Sequence, residues 1–195
     1  MIRMRIGLAA LPAVIALAAG AAMAQTTSAG GGMTAMASLE DADGNDVGEV
    51  RLTQYNSGVV LHGELTGLPP GWHAIHVHET GACSPDFTAA GDHFNPKDTQ
   101  HGLDEDEPHA GDLANIWVHD NGTAQFELVT NWFSLGAPEV AAAEDEAEVG
   151  AVATAPSIFD EDGAALVIHA QADDYTTDPS GDSGDRIACG VINQS

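Results

Sequence analysis

Short stretches of alternating apolar and polar residues, separated by turn residues, run through most of the chain. Residues 33–40, MTAMASLE, alternate with a period of two and give way to DADGND. VGEVRLTQY is followed by NSG, and VVLHGELTGL by a Pro-Pro-Gly break. HAIHVHE, ANIWVHD, TAQFELVT, AALVIHA and RIACGVI complete a set of eight. Alternation of this kind puts one face of a strand in the core and the other in water. The intervening Gly, Asn, Asp and Pro supply the turns. The pattern predicts an all-β fold of eight short antiparallel strands in a sandwich or barrel. Two connections, residues 80–112 and 131–163, are too long for hairpin turns and are expected to be functional or disordered. The first holds a Cys, three His and many acids, and the second contains the Ala/Glu-rich run PEVAAAEDEAEVG. That run reads as a solvated or partly helical insertion without chemistry of its own.

The first 24 residues follow another pattern. Arg3 and Arg5 precede the apolar run LAALPAVIALAAGAAMA, which ends on Ala22-Met23-Ala24. A short positive region, an apolar stretch and an A-x-A site make up a secretory signal peptide. A membrane anchor is the poorer reading, because Pro12 and Gly20 interrupt the run and no positive stop follows it. No Cys follows the run to signal a lipoprotein. The expected organisation is therefore a signal peptide over 1–24, a flexible leader over 25–32 and one domain over 33–195. The localisation expected is export, to a periplasm or the exterior, with no membrane association after cleavage.

Composition sharpens this picture. The chain has 195 residues, which suits one ordinary domain, and 44% of them are hydrophobic. Its 30 Asp and Glu face only 5 Lys and Arg, for a formal charge of −25. Cleavage after Ala24 removes two of the five bases and no acid, leaving 3 − 30 = −27. Nucleic acid and anionic membranes, which need a basic face, are excluded as partners. Nine His and two Cys suggest a metal site and one disulfide, since an oxidising compartment keeps two Cys paired.

The histidines fall in three blocks. In HAIHVHE, His76 and His78 are two apart and share one strand face, a natural start for a transition-metal site. The block GDHFNPKDTQHGLDEDEPHAGDL presents His93, His101, His109 and Asp112. Three nitrogens and one carboxylate suit tetrahedral zinc, with a polar loop carrying incidental histidines as the alternative. The acids at 104–107 read as a solvated edge. In LVIHAQADDYTTDPSGDSGDRIACGVI, His169 closes an apolar strand and Asp173 is placed to accept from ligand N–H groups. Arg186 stands three residues before Cys189, with a surface ion pair to Asp182 or Asp185 as its plain reading.

HAIHVHE, AGDHFNP, HAGDL, LVIHAQADD and GDRIACGVI, in that order, resemble the copper/zinc superoxide dismutase family from about Met33 to Ile192. The resemblance implies an eight-stranded antiparallel Greek-key barrel with long metal-binding and electrostatic loops. It implies copper held by His76, His78, His93 and His169, and zinc held by His93, His101, His109 and Asp112. Asp173 would link a copper-ligand histidine to a zinc-ligand histidine, and His73 would hydrogen-bond beneath the site. Cys83 and Cys189 would form the disulfide. Arg186 would orient the substrate, the superoxide anion, and His93 would carry a proton towards the nascent peroxide. His62 and His119 match nothing in the motif and read as a surface strand residue and a turn residue. Family members occur as homodimers and as monomers, and both states stay open.

Two features depart from the family pattern. The stretch between Asp173 and Arg186 carries Asp174, Asp178, Asp182 and Asp185 but no Lys, leaving Arg186 and Lys97 as the cations available to guide an anion. The acidic insertion over 139–148 has no counterpart role. The competing function is an exported copper and zinc buffer, in which Met33 and Met36 could add a weak copper site. A copper-only variant is disfavoured by the complete set from His93 to Asp112.

Overall fold

The computed structural model describes residues 32–102, 107–136 and 155–195. The expected signal peptide over 1–24, the leader as far as residue 31 and the acidic insertion over 139–148 lie outside the described residues.

The described residues form a curled antiparallel sheet. Its strands are β1 (Thr34–Asp41), β2 (Asp46–Tyr55), β3 (Gly58–Leu65), β5 (Ile75–His78), β7 (Ala124–Thr130), β8 (Ala165–His169) and β9 (Arg186–Gln194). They lie in the order β5-β8-β9-β1-β2-β3-β7. The strands β4 (Gly71–His73) and β6 (Ile116–Val118) pair separately as a two-stranded ribbon. Edge strand β5 follows directly from β4, and edge strand β7 follows from β6, so this ribbon ties the two edges of the large sheet together.

The alternation seen in the sequence decides what faces inward. Ala35, Ala37 and Leu39 of β1, Val50 and Leu52 of β2, and Val59 and Leu61 of β3 are all fully buried. With Ile75, Val77, Phe133, Leu166 and Ile168 they make one core, the main term holding the barrel together. Polar partners such as Glu49, Arg51, His62 and Glu64 point outward. Strand β8 is buried on both faces, because Leu166 and Ile168 join the core while Ala165 and Val167 pack with Cys189 and Ala90.

The strands number nine among the described residues, one more than the alternation predicts, because HAIHVHE is divided. At Ala74 the backbone changes partner: its N–H donates to Gln171 O at 2.8 Å and its carbonyl accepts from His169 N–H at 2.9 Å. Upstream, Trp72 and His73 pair with β6, and downstream, Ile75 to His78 pair with β8. The switch occurs without Gly or Pro, so nothing in the local sequence announces it.

Candidate metal centre

Strand β5 sets the site. Ile75 and Val77 enter the core, so His76 and His78 are carried on the opposite face. The loop after β5 folds back along that face. Val77 N–H donates to Gly111 O at 2.9 Å, and Phe94 N–H donates to Val77 O at 2.8 Å. Isolated bridges pair His78 with His93 and His76 with Asp112. Gly111 is required here, since a Cβ on it would overlap the Val77 carbonyl. Two segments of a long loop thus lie against β5 almost as added strands, which is how His76 and Asp112, 36 apart in sequence, converge.

Two clusters result, and they share His93. His76, His78, His93 and His169 each bring one ring nitrogen to within 4.8 Å of the others. His93, His101 and His109 bring a ring nitrogen each, and Asp112 a carboxylate oxygen, equally close to one another. All six histidines are buried, none above 5% exposure, and Asp112 is 8% exposed. The ring centroids of His76 and His93 are 4.1 Å apart, and those of His93 and His109 are 5.5 Å apart.

Hydrogen bonds outside the clusters fix which nitrogen of each ring faces inward. Asp173 accepts from His76 Nε2 at 2.8 Å through one oxygen and from His101 Nε2 at 3.0 Å through the other. Nδ1 of His76 and of His101 is thereby turned inward. His78 Nδ1 donates to Gly91 O at 3.0 Å, leaving Nε2 inward, where it lies 3.4 Å from His169 Nε2. His109 Nε2 donates to Thr99 O at 3.1 Å, leaving Nδ1. His73 takes no part in either cluster and lies beneath it, with Nδ1 2.8 Å from His169 O and Nε2 2.8 Å from Pro69 O.

The charge states follow from this packing. Burial, reinforced by neighbouring imidazoles, pushes His78 down to about 2 and His169 down to about 3. Burial also pushes His93 down to about 4, against the pull of Asp112. For His101 burial is outweighed by Asp112 and Asp173, which raise it to about 10. Burial likewise opposes ionisation of Asp112 and Asp173, but the imidazole donors around them win and hold both carboxyls below the ordinary range. His78, His93 and His169 are therefore neutral and Asp112 and Asp173 ionised, the forms that ligate metals, whereas His101 holds its proton without metal and must release it on ligation.

The residues fit metal ions. Four buried ring nitrogens have no hydrogen-bond partner: His76 Nδ1, His93 Nε2, His101 Nδ1 and His109 Nδ1. An orphaned buried nitrogen costs about 1–3 kcal/mol, and four together call for a ligand that accepts their lone pairs. Asp112 carboxylate oxygens lie 2.8 Å from His93 Nδ1, 2.9 Å from His101 Nδ1 and 3.4 Å from His109 Nδ1. A tetrahedron with bonds near 2.0 Å has edges of about 3.3 Å, so these separations suit zinc. The all-nitrogen cluster suits copper.

Arg186 is not in the ion pair its acidic neighbours suggested. Its Nη1 donates to Phe87 O and its Nη2 to Gly91 O, both at 2.7 Å. Phe87 lies in a 3-10 turn (Phe87–Ala90) that follows Cys83. Cys83 and Cys189 are joined, with Cα atoms 5.8 Å apart across a separation of 106 residues. The bridge ties that loop to β9, from which Arg186 projects. Lys97 is held by Glu107 at 3.1 Å on the surface. His62 is exposed on β3 and His119 lies at a turn, outside both clusters.

Several supporting residues carry no sequence signal. Asn115 grips the backbone of Asp173 from both sides, donating from Nδ2 to its carbonyl at 2.9 Å and accepting from its N–H at 2.8 Å. Tyr175 OH accepts from Asn115 N–H at 2.8 Å. Asp178 accepts from His101 N–H at 2.8 Å. Gly181, at φ 65°, lies against Asp173, and a Cβ there would overlap its carboxylate.

An antiparallel barrel with two buried clusters of metal-ligating side chains sharing one imidazole, and an arginine fixed beside the nitrogen-only cluster, suits a protein that holds two metal ions. The comparisons give its family. The family profile "Copper/zinc superoxide dismutase (SODC)" matches residues 47–192. "Superoxide dismutase (Cu-Zn) 2" of Aquifex aeolicus is 40% identical over 163 residues, spanning 82% of this chain and 86% of that protein. "Superoxide dismutase (Cu-Zn)" of Caulobacter vibrioides is 40% identical over 162 residues, spanning 82% and 85%. The crystal structure of a SOD-like protein from Bacillus subtilis superposes with a TM-score of 0.66 at 35% identity, over 80% of this chain and 95% of that one. The chain belongs to the copper/zinc superoxide dismutase family. It is an enzyme of that class, using copper and zinc to dismute superoxide.

Proposed function

We propose that the protein removes superoxide in an exported compartment, through a copper site of His76, His78, His93 and His169 and a zinc site of His93, His101, His109 and Asp112. The observation that carries this reading is the position of His93. It belongs to both clusters, with Nδ1 2.8 Å from Asp112 on one side and Nε2 unpartnered on the other. When bound, copper supplies one-electron exchange with superoxide, and zinc supplies a redox-inert charge on the far side of His93.

The remaining roles belong to the chain. Two superoxide anions and two protons give dioxygen and hydrogen peroxide. Arg186, held by Phe87 O and Gly91 O, presents a fixed positive fork to the anion. His93 Nε2 faces the nitrogen-only cluster without a hydrogen-bond partner, and would take up a proton from solvent in one half-cycle and release it to the reduced anion in the other. Asp173 keeps His76 and His101 oriented while this happens.

Export is supported by the three-part pattern of residues 1–24 and by the Cys83–Cys189 bridge, which persists in oxidising surroundings. The mass of the protein recovered outside the cytoplasmic membrane should correspond to cleavage after Ala24. An uncleaved, cytoplasmic protein would overturn this part of the reading.

Guidance of the anion should be unusual. Lys97 is neutralised by Glu107, and Arg186 is flanked by Asp86 and Asp92. In a chain of charge −25, added salt screens repulsion at least as much as attraction. The test is superoxide decay by protein loaded with one copper and one zinc, at low and moderate salt. Fast decay, lost in His169→Ala and flat or rising with salt, is the expected result. Full occupancy of both metals with negligible decay would instead point to metal storage.

A further inference from the structure

His169 differs from the other histidines of the copper-type cluster at its outer nitrogen. His78 and His76 each meet one acceptor there, Gly91 O and Asp173 Oδ2. His169 Nδ1 meets two: Gly184 O at 3.3 Å and Ser183 Oγ at 3.1 Å. A contact of 3.3 Å is beyond the usual range for N–H···O, so the hydroxyl is the nearer acceptor. Ser183 is fully buried, and its hydroxyl makes no other hydrogen bond among the described residues.

The turn that carries Ser183 is built to aim it inward. Gly181, Asp182 and Gly184 all adopt positive φ, at 65°, 50° and 76°. The Ser183 backbone is held by Ser180 O, 3.2 Å from its N–H, and by Gln171 N–H, 2.9 Å from its carbonyl. A non-glycine residue at positive φ is uncommon, and Asp182 beside Ser183 marks a turn whose shape is fixed by its contacts.

We propose that Ser183 is a positioning residue for copper, acting through His169. The proposal rests on the reading of His169 as a copper ligand through Nε2. In that state Nδ1 must carry the proton, and a buried N–H needs an acceptor. Ser183 Oγ receives it, locks the ring plane and makes Nε2 a stronger donor. A stronger donor favours Cu(II) over Cu(I), so the hydroxyl sets the balance between the two oxidation states. Among the described residues the Ser183 hydroxyl makes no hydrogen bond to the zinc-type cluster, which makes the effect specific to one metal.

The experiment uses the full exported protein with Ser183→Ala and Ser183→Cys, titrated with Cu(II), Cu(I) and Zn(II) against competing chelators. Ser183→Ala should bind Cu(II) about 10-fold more weakly, in the range seen when a ligand histidine loses its outer partner. If Cu(I) affinity is unchanged, the midpoint potential rises by about 59 mV for that tenfold change in a one-electron couple. The Cu(II) electron paramagnetic resonance spectrum should shift with it, Ser183→Cys should fall between, and Zn(II) affinity should stay constant. Unchanged Cu(II) affinity and spectrum in Ser183→Ala would overturn the proposal, as would equal loss of both metals, which marks general disruption. His169→Ala separates the two levels. If it leaves Cu(II) affinity intact, the ligand reading itself fails. If it abolishes binding while Ser183→Ala changes nothing, only the role of Ser183 fails.

Discussion

His78 and Arg186 share one acceptor, the carbonyl oxygen of Gly91, which lies 3.0 Å from His78 Nδ1 and 2.7 Å from Arg186 Nη2. A single backbone atom thus fixes the tautomer of a cluster histidine and the position of the guanidinium beside it. Gly91 sits at φ 74°, just after the 3-10 turn, and a Cβ there would crowd Glu79 and Thr80. The nitrogen-only cluster and the Arg186 guanidinium are therefore registered to each other through the loop.

Replacing Arg186 should separate guidance from metal binding. Arg186→Ala should lower the superoxide decay rate by on the order of 10–100-fold, within the span that local fields command. Copper and zinc contents should stay at one each, because Arg186 belongs to neither cluster. Arg186→Lys keeps a charge but loses the planar fork whose two nitrogens meet Phe87 O and Gly91 O separately, and should be intermediate. A full rate in Arg186→Ala would remove it from the reaction.

The disulfide should matter for both stability and rate. Closing a loop of 106 residues is worth about 4.7 kcal/mol in the chain-entropy account for loops near that length. Cys83→Ser with Cys189→Ser should lower the thermal midpoint markedly. It should also slow turnover, because Phe87 O and Gly91 O lie in the loop that Cys83 anchors. Thermal unfolding and superoxide decay on the same double variant check both effects. A loss of stability with full turnover would show that the loop holds Arg186 unaided.

Asp173→Asn is the sharpest test of the link between clusters. The carboxylate accepts from His76 and His101 through separate oxygens. An amide keeps one acceptor and turns a donor towards the other ring, which flips that tautomer or breaks the contact. Affinity for both metals should fall about 10–100-fold in metal competition titrations. Loss confined to one metal would show that Asp173 serves only one histidine.

Without metal, stability should peak near pH 6.5. Burial holds His78, His93 and His169 down to about 2, 4 and 3, so the folded chain stays unprotonated where the unfolded chain, with its ordinary value of 6.5, takes up protons. Stability is therefore lost as pH falls from 6.5 towards 4. His101 runs the other way, with its value raised to about 10 by Asp112 and Asp173 over the opposing effect of burial. Its contribution is complete below 6.5 and is lost as pH rises through about 10. Thermal midpoints of the metal-free protein should fall on both sides of 6.5. A midpoint that climbs between pH 6.5 and 4.5 would contradict this.

The fold was legible wherever one face of a strand is buried. Ala35, Ala37 and Leu39 alternate with Met36, Ser38 and Glu40, and that contrast alone assigns β1. The same rule put His76 and His78 on a single face before any partner was known. The division at Ala74 was hidden, because a change of pairing partner depends on Gln171 and His169 far along the chain. The plain reading of Arg186 as a partner of Asp182 or Asp185 failed for a similar reason, since carbonyl acceptors leave no mark in side-chain chemistry. Asn115 and Ser183 were equally silent. They act on a backbone and on the outer nitrogen of a ring, with no spacing rule to betray them.

The central claim is that His93 joins two different metal sites. A crystal structure of the protein loaded with one copper and one zinc, with anomalous scattering recorded at both absorption edges, tests it directly. The account predicts a copper peak among His76, His78, His93 and His169, and a zinc peak among His93, His101, His109 and Asp112. It also predicts His93 Nε2 on the copper side and Nδ1 on the zinc side. A single occupied site, or two metals with His93 bound to only one of them, would contradict it.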